Sequence, residues 1–177
     1  MIDKNIAKPT RLIYNNPVSL VTVNYKDRKN IFTVSWLCAA SNNPPLVIIS
    51  VGKDRYSRPL IEKSGMFVIN IPNAEMIKDV MYCGNVSGKD NDKLKERNLR
   101  YTINKRGGII LDDAIAYLEC EVRQKVDAGD HIIFLGEVTE SGADSVAFAN
   151  DKWNVKSKKA NVLSYLGDGC YTTHREL

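Results

Sequence analysis

Long apolar runs are missing from this chain of 177 residues, and with them the ~20-residue span that crosses a bilayer. The opening MIDKNIAKPTRLIYNN lacks the apolar centre of a secretory leader, so a cytoplasmic protein with no membrane partner is expected. Cysteine is sparse: Cys38, Cys83, Cys120 and Cys170 stand far apart without a Cys-x-x-Cys pair, which points to reduced, structural thiols. Histidine is sparser still. His131 and His174 lie at no ligand spacing from each other or from a cysteine, and no metal is expected. The net charge of +4 is too small and dispersed to indicate nucleic acid, although it tolerates a small anionic ligand. Neither Gly-x-x-x-x-Gly-Lys nor Gly-x-Gly-x-x-Gly occurs, which excludes the ordinary nucleotide-fold phosphate loops.

What the chain does contain is β-structure. PVSLVTVNY, NIFTVSWLCAA, PLVIISV and MFVINIP are short runs rich in Val, Ile, Thr and aromatics. KDRKN suits a hairpin between the first two, and SNNPP separates the second from the third. Spacing this close favours antiparallel strands over parallel strands linked by helices. RPLIEKSG fits two helical turns, with Ser57 as cap, Pro59 in the first turn and Gly65 as terminator. A second helix is expected around Ala74 to Cys83, then a charged loop, CGNVSGKDNDKLKERNL, ending in a short helix. AIAYLECEVRQKV and HIIFLGEVTES, joined by DAGD, form a long hairpin. DKWNVKSKK is basic and irregular, and the tail adds one short strand. With no repeat and no linker, residues 1–177 make one domain: a mainly β fold with short helices, a small closed or nearly closed barrel.

Within such a barrel, VIISVGKDRYSRP carries the chain to the rim and then presents Lys53, Arg55, Ser57 and Arg58 at the start of a helix. Charged and neutral donors beside a helix N-terminus favour an anion. Each charge-assisted hydrogen bond contributes roughly 1.5–3 kcal/mol.

The ordered segments NIFTVSWLCAASNNPPLVIISVGKDRYSRPLIEKSGMFVINIP, CGNVSGKDNDKLKE and GDHIIFLGEV resemble the flavin reductase-like family, and within it the flavoredoxin branch. The likeness runs from about Pro17 to Ser141 and is loose beyond it. It implies an FMN-binding split barrel of Greek-key type, with FAD the less expected flavin, and a homodimer with flavin near the subunit interface. Carried over by position, the FMN phosphate falls to Arg55 and Ser57, with Lys53 and Arg58 as further contributors. The isoalloxazine ring is bordered by TVSWLCAAS, through backbone at Ser35, Trp36, Leu37, Cys38, Ala39 and Ala40, with Thr33 and Ser41 nearby. Asn42, Ser50 and Asn70 are additional cofactor contacts, and His131 lies on the flavin or nicotinamide side.

Plainer roles stand beside these. Trp36 can serve as a core or interface aromatic, His131 as a strand-start residue, and Cys38 as a small buried thiol. Lys152, Lys156, Lys158 and Lys159 can meet the extra phosphate of NADPH or form a solvated face.

The implied activity is NAD(P)H-dependent reduction of flavin or a ferric chelate, with hydride passing from a nicotinamide held flat on the ring to flavin N5 across about 3–3.5 Å. The alternative is an electron carrier whose bound FMN is reduced by a partner protein. A non-redox barrel for single-stranded nucleic acid needs stacking aromatics among basic residues, which TVSWLC and FVINIP hardly offer. NADH against NADPH, the final acceptor, and FMN as resident group or exchangeable substrate all stay open.

Overall fold

The computed structural model describes residues 6–174 and 176. After a short β1 (Asn16–Pro17) come β2 (Ser19–Tyr25), β3 (Arg28–Val34), β4 (Leu37–Asn42) and β5 (Pro45–Gly52). Helix α1 (Ser57–Ser64) leads to β6 (Met66–Ile71), and helices α2 (Ile77–Asn85) and α3 (Lys93–Glu96) follow. Then come β7 (Tyr101–Ile103), β8 (Ile109–Leu111) and the long β9 (Ala116–Ala128) and β10 (His131–Ala143). The chain closes with β11 (Phe148–Ala149), β12 (Lys152–Trp153), β13 (Leu163–Gly167) and β14 (Cys170–Thr173). No helix among the described residues is long and apolar enough to cross a membrane.

Seven strands form one antiparallel sheet in the order β3-β2-β6-β9-β10-β5-β4. Its two edges, β3 and β4, are consecutive in the chain, joined only by Ser35 and Trp36. Two linking residues reach about 11 Å at most, so the sheet must curl until its edges meet. The seam carries no β3–β4 ladder, but the Ser50 N–H donates to the Trp36 carbonyl at 2.9 Å across the turn. Around the curl, β2 to β5 run as a meander, α1 carries the chain back so that β6 lies beside β2, and the β9–β10 hairpin fills the gap. That is a Greek-key split barrel, as the sequence implied.

Strand β2 is buried along Ser19 to Val23 because both its faces are covered. Val21 and Val23 point inward with Phe32, Val34, Ile49, Phe67 and Phe134. Leu20 and Ile31 point outward, under Val80 of α2, Leu94 of α3 and the β8 residues Ile109 and Leu111. Helix α2 thus lies on the outer face of β2 and β3, close enough that a Cβ on Gly84 would sit 3.4 Å from Thr33 Cβ. Helix α1 buries Leu60 and Ile61, carries an Arg58–Glu62 pair one turn apart, and ends at Gly65 with φ 69°.

Four expectations need correction. NIFTVSWLCAA is two strands, broken where Ser35 and Trp36 turn from one sheet edge to the other. Ser57 is the first helical residue rather than the cap; Tyr56 precedes it, and no side chain caps the helix. The C-terminal tail supplies two strands, which pair with β1 as β1-β13-β14, where one was expected. The DKWNVKSKK stretch contributes β12, which pairs with β11.

Candidate functional site

A cleft of about 620 Å³ opens at the seam. One wall is strand-derived: Thr33 from the end of β3, Ser35 and Trp36 in the crossing, and Ser50 and Gly52 from β5. The other is the C-terminal turn of α2 with the loop Gly84 to Gly88, and the floor between them is Arg55, Tyr56, Ser57 and Lys93. His131, the first residue of β10, faces Gly52 in register. Its ring stacks on Trp36 with centroids 4.6 Å apart and planes 27° from parallel. Asp130 Oδ1 lies 2.7 Å from His131 Nδ1, and that contact holds the Asp130 carboxyl below its ordinary range. Tyr14 meets Trp36 edge to face, extending the aromatic wall toward the N-terminal turn that brings Lys8, Thr10 and Arg11 to the cleft.

The floor is electrostatically unbalanced. Lys93 is 4% exposed, and its Nζ donates to the carbonyls of Cys83 and Val86 at 3.1 and 3.0 Å. Burial lowers its pKa, partly opposed by Cys83, and Arg55 adds a smaller push in the same direction as burial. Arg55 is exposed and takes part in none of the ion pairs among the described residues, in contrast to its neighbours Lys53 and Arg58. Ser57 is buried, and its Oγ accepts from Asn30 Nδ2 at 2.9 Å. With the oxygen so engaged, the serine proton is free to point into the cleft. Arg55, Lys93 and the Ser57 hydroxyl line one part of the cleft, with Asp54 beside Arg55, and the three donors are a set that fits a phosphate.

Of the residues singled out by sequence, Thr33, Ser35, Trp36, Ser50, Arg55, Ser57 and His131 line this cleft. The others do not. Leu37, Cys38, Ala39, Ala40, Ser41 and Asn42 run along β4, whose outer side is an unpaired sheet edge, and Cys38 is exposed rather than buried. Lys53 pairs with Asp127 at 2.8 Å, and Arg58 is spent on Glu62 and the Lys53 carbonyl. Asn70 is a core residue: its amide donates toward Leu20, Thr22 and Ile109, and its oxygen accepts from the Leu111 N–H. No group of Asn70 is left for a ligand. Among the distal lysines, Lys159 pairs with Asp144 and Lys156 with Glu176, and none of the four lines the cleft.

Sequence reasoning missed Lys93 and the Gly84–Gly88 loop as individual site residues. The stretch CGNVSGKDNDKLKE holds three lysines, and nothing local distinguishes Lys93 from Lys89 and Lys95 as the one that becomes buried. A Cβ on Gly88 would overlap the side-chain oxygen of Asn30, so only glycine lets this loop pack against the strand beneath.

The Flavin reductase like domain family matches residues 11–165. This chain belongs to the flavin reductase-like family. A flavin reductase of Pseudomonas putida is 30% identical over 133 residues, 75% of each chain. A protein of Archaeoglobus fulgidus is 33% identical over 113 residues, 63% of this chain and 64% of that one. The crystal structure of flavoredoxin from Methanosarcina acetivorans superposes with a TM-score of 0.84 and 26% identity, covering 100% of this chain and 91% of the other. In this flavin reductase-like chain the matched region contains the whole strand-built wall, α1, α2 and α3, so all of the cleft lining except Lys8 and Thr10 lies within it.

Proposed function

We propose that the cleft binds FMN and that the protein is an NAD(P)H-dependent flavin or ferric-chelate reductase. The observation that carries this reading is the floor of the cleft, where exposed Arg55 and the buried Ser57 and Lys93 line one space beside the glycine loop. Arg55, Ser57 and Lys93 would hold the phosphate, and each charge-assisted bond contributes roughly 1.5–3 kcal/mol. FMN supplies the hydride-accepting chemistry when bound. The chain's own work is positional. Trp36 and His131 form a stacked rigid wall, Asp130 fixes the His131 ring through Nδ1, and Ser35 and Ser50 offer polar groups beside the seam. His131 is the candidate on the nicotinamide side. Being named a flavin reductase, the Pseudomonas putida relative supports the enzyme reading.

The outer edge of β4, with Cys38, Ala39 and Ala40 exposed and uncharged, supports a homodimer that covers this edge and brings β4 toward the flavin of one or the other copy. The cytoplasm is the expected location. The likeness to flavoredoxin supports a second reading, an electron carrier whose bound FMN is reduced by a partner protein.

An absorption spectrum taken after FMN addition and desalting, followed by NADH or NADPH under anaerobic conditions, separates these readings. Retained flavin that bleaches within seconds identifies a self-sufficient reductase and its donor; retained flavin that stays oxidised favours the carrier. Absence of any flavin affinity overturns both.

A further inference from the structure

Asn30 is a polar residue of β3 that is only 3% exposed. It shares the parity of Phe32 and Val34, whose side chains enter the barrel core, so it points inward where the barrel end meets the start of α1. Asn30 does not itself line the cleft. It lies behind the floor, against two residues that do, Ser57 and Gly88.

The Asn30 amide nitrogen donates to Ser57 Oγ at 2.9 Å, whereas its oxygen, Oδ1, has no hydrogen-bond partner. A buried oxygen without a donor is destabilising and calls for a physical cause. Gly88 supplies one. A Cβ on that residue would overlap Oδ1, so the hydrogen standing in its place is directed at the oxygen in a weak C–H contact. Exchanging the two ends of the amide would set N–H hydrogens against that C–H and turn the oxygen toward Ser57. The glycine thus fixes which end of Asn30 meets the serine. The same Cβ position lies 3.5 Å from Cε of Lys93, so one glycine packs against both the asparagine and the buried lysine.

This orientation dictates what Ser57 can do. Its oxygen accepts from the amide N–H, so the hydroxyl does not donate to Asn30, and no hydrogen bond among the described residues uses its proton. The proton is left for an acceptor in the cleft. An amide turned the other way would take that proton and present only serine lone pairs to the cleft, which repel a phosphate.

We infer that Asn30 is a positioning residue that commits the Ser57 hydroxyl to donating and thereby makes the floor of the cleft select flavin that carries a phosphate. The inference rests on the phosphate reading of the cleft proposed above.

Affinities for FMN and riboflavin, measured by flavin fluorescence on the full-length protein, Asn30→Ala, Ser57→Ala and the double variant, test it. Asn30→Ala lowers FMN affinity about tenfold, the equivalent of one charge-assisted hydrogen bond, and leaves riboflavin within about twofold. In the Ser57→Ala background the same change has no further effect on FMN, because Asn30 acts through the hydroxyl. Asn30→Thr, a strand-forming residue without the amide, gives the same pattern and carries the test should Asn30→Ala not fold. An FMN loss of equal size in both backgrounds, an equal loss for the two flavins, or no loss at all overturns the role of Asn30 and leaves the phosphate reading standing. If the unaltered protein holds riboflavin as tightly as FMN, the phosphate reading itself falls, and the role of Asn30 with it.

Discussion

Two buried charges packed against the barrel wall are treated in opposite ways. Glu119, 0% exposed on β9, is met by Arg106 Nε at 3.0 Å, by the Asn104 amide and by the Thr139 hydroxyl. Its charge is neutralised and its oxygens are used, so the cluster pins the β7–β8 turn to the long hairpin. Lys93, equally buried, is met by two carbonyl dipoles and a second cation. A protein interior tolerates the first arrangement as structure. The second leaves a buried ammonium without a carboxylate partner, which supports the proposed anion site.

The comparison breaks first at Glu119. Glu119→Ala strands the Asn104 and Thr139 donors and costs about 3 kcal/mol of stability, read as a lower urea midpoint, with FMN affinity of the folded protein unchanged. A loss of FMN affinity with no change in midpoint would erase the distinction between the clusters. Lys93→Met does the reverse: FMN affinity falls about tenfold to a hundredfold, the equivalent of roughly 1.5–3 kcal/mol, while riboflavin, which has no phosphate, is held almost as before. Arg55→Ala follows the same pattern more weakly, because Arg55 is exposed and screened.

pH sharpens the contrast. Burial and Arg55 hold the folded pKa of Lys93 below that of the unfolded chain, so the unfolded state binds more protons between the two values. The Lys93 contribution to stability therefore rises as pH climbs through that window. Phosphate affinity runs the other way, falling as the ammonium is lost. Alkaline titration of FMN binding and of the unfolding midpoint should show opposite slopes; parallel slopes would mean that Lys93 does not meet the phosphate.

The smallest effect is at the thiols beside each charge. Burial raises the Cys83 thiol to about 11 with Lys93 pulling it down, whereas burial and Glu119 together raise Cys120 to about 12. Mass spectrometry of alkylated peptides should find Cys38 and Cys170 labelled in the native protein at neutral pH, with Cys83 ahead of Cys120 as pH rises.

Much of the barrel was legible because its signals are local. The hairpin between β2 and β3 needs only two residues, with Lys26 at φ 55°; the turn at Gly129 joins an alternating run to a mostly apolar one; Gly65 stops α1. Arg55 and Ser57 were legible for the same reason, standing together at a strand-to-helix junction. Asn70 misled because a polar residue in an apolar strand looks available, and only the arrival of Leu20, Thr22, Ile109 and Leu111 around it uses up its amide. Trp36 sits within an unbroken β-pattern, and nothing local shows that the sheet reverses there.

By itself the sequence determined most of the segments that extend and the tight turns between them, since alternation and turn chemistry act over a few residues. The tertiary structure alone decided that β3 and β4 become opposite edges, that Trp36 stacks on a histidine 95 positions away, and that Lys93 lies buried beside Arg55. Those outcomes depend on how the curled sheet brings distant segments together, and on the charge left unbalanced when it does.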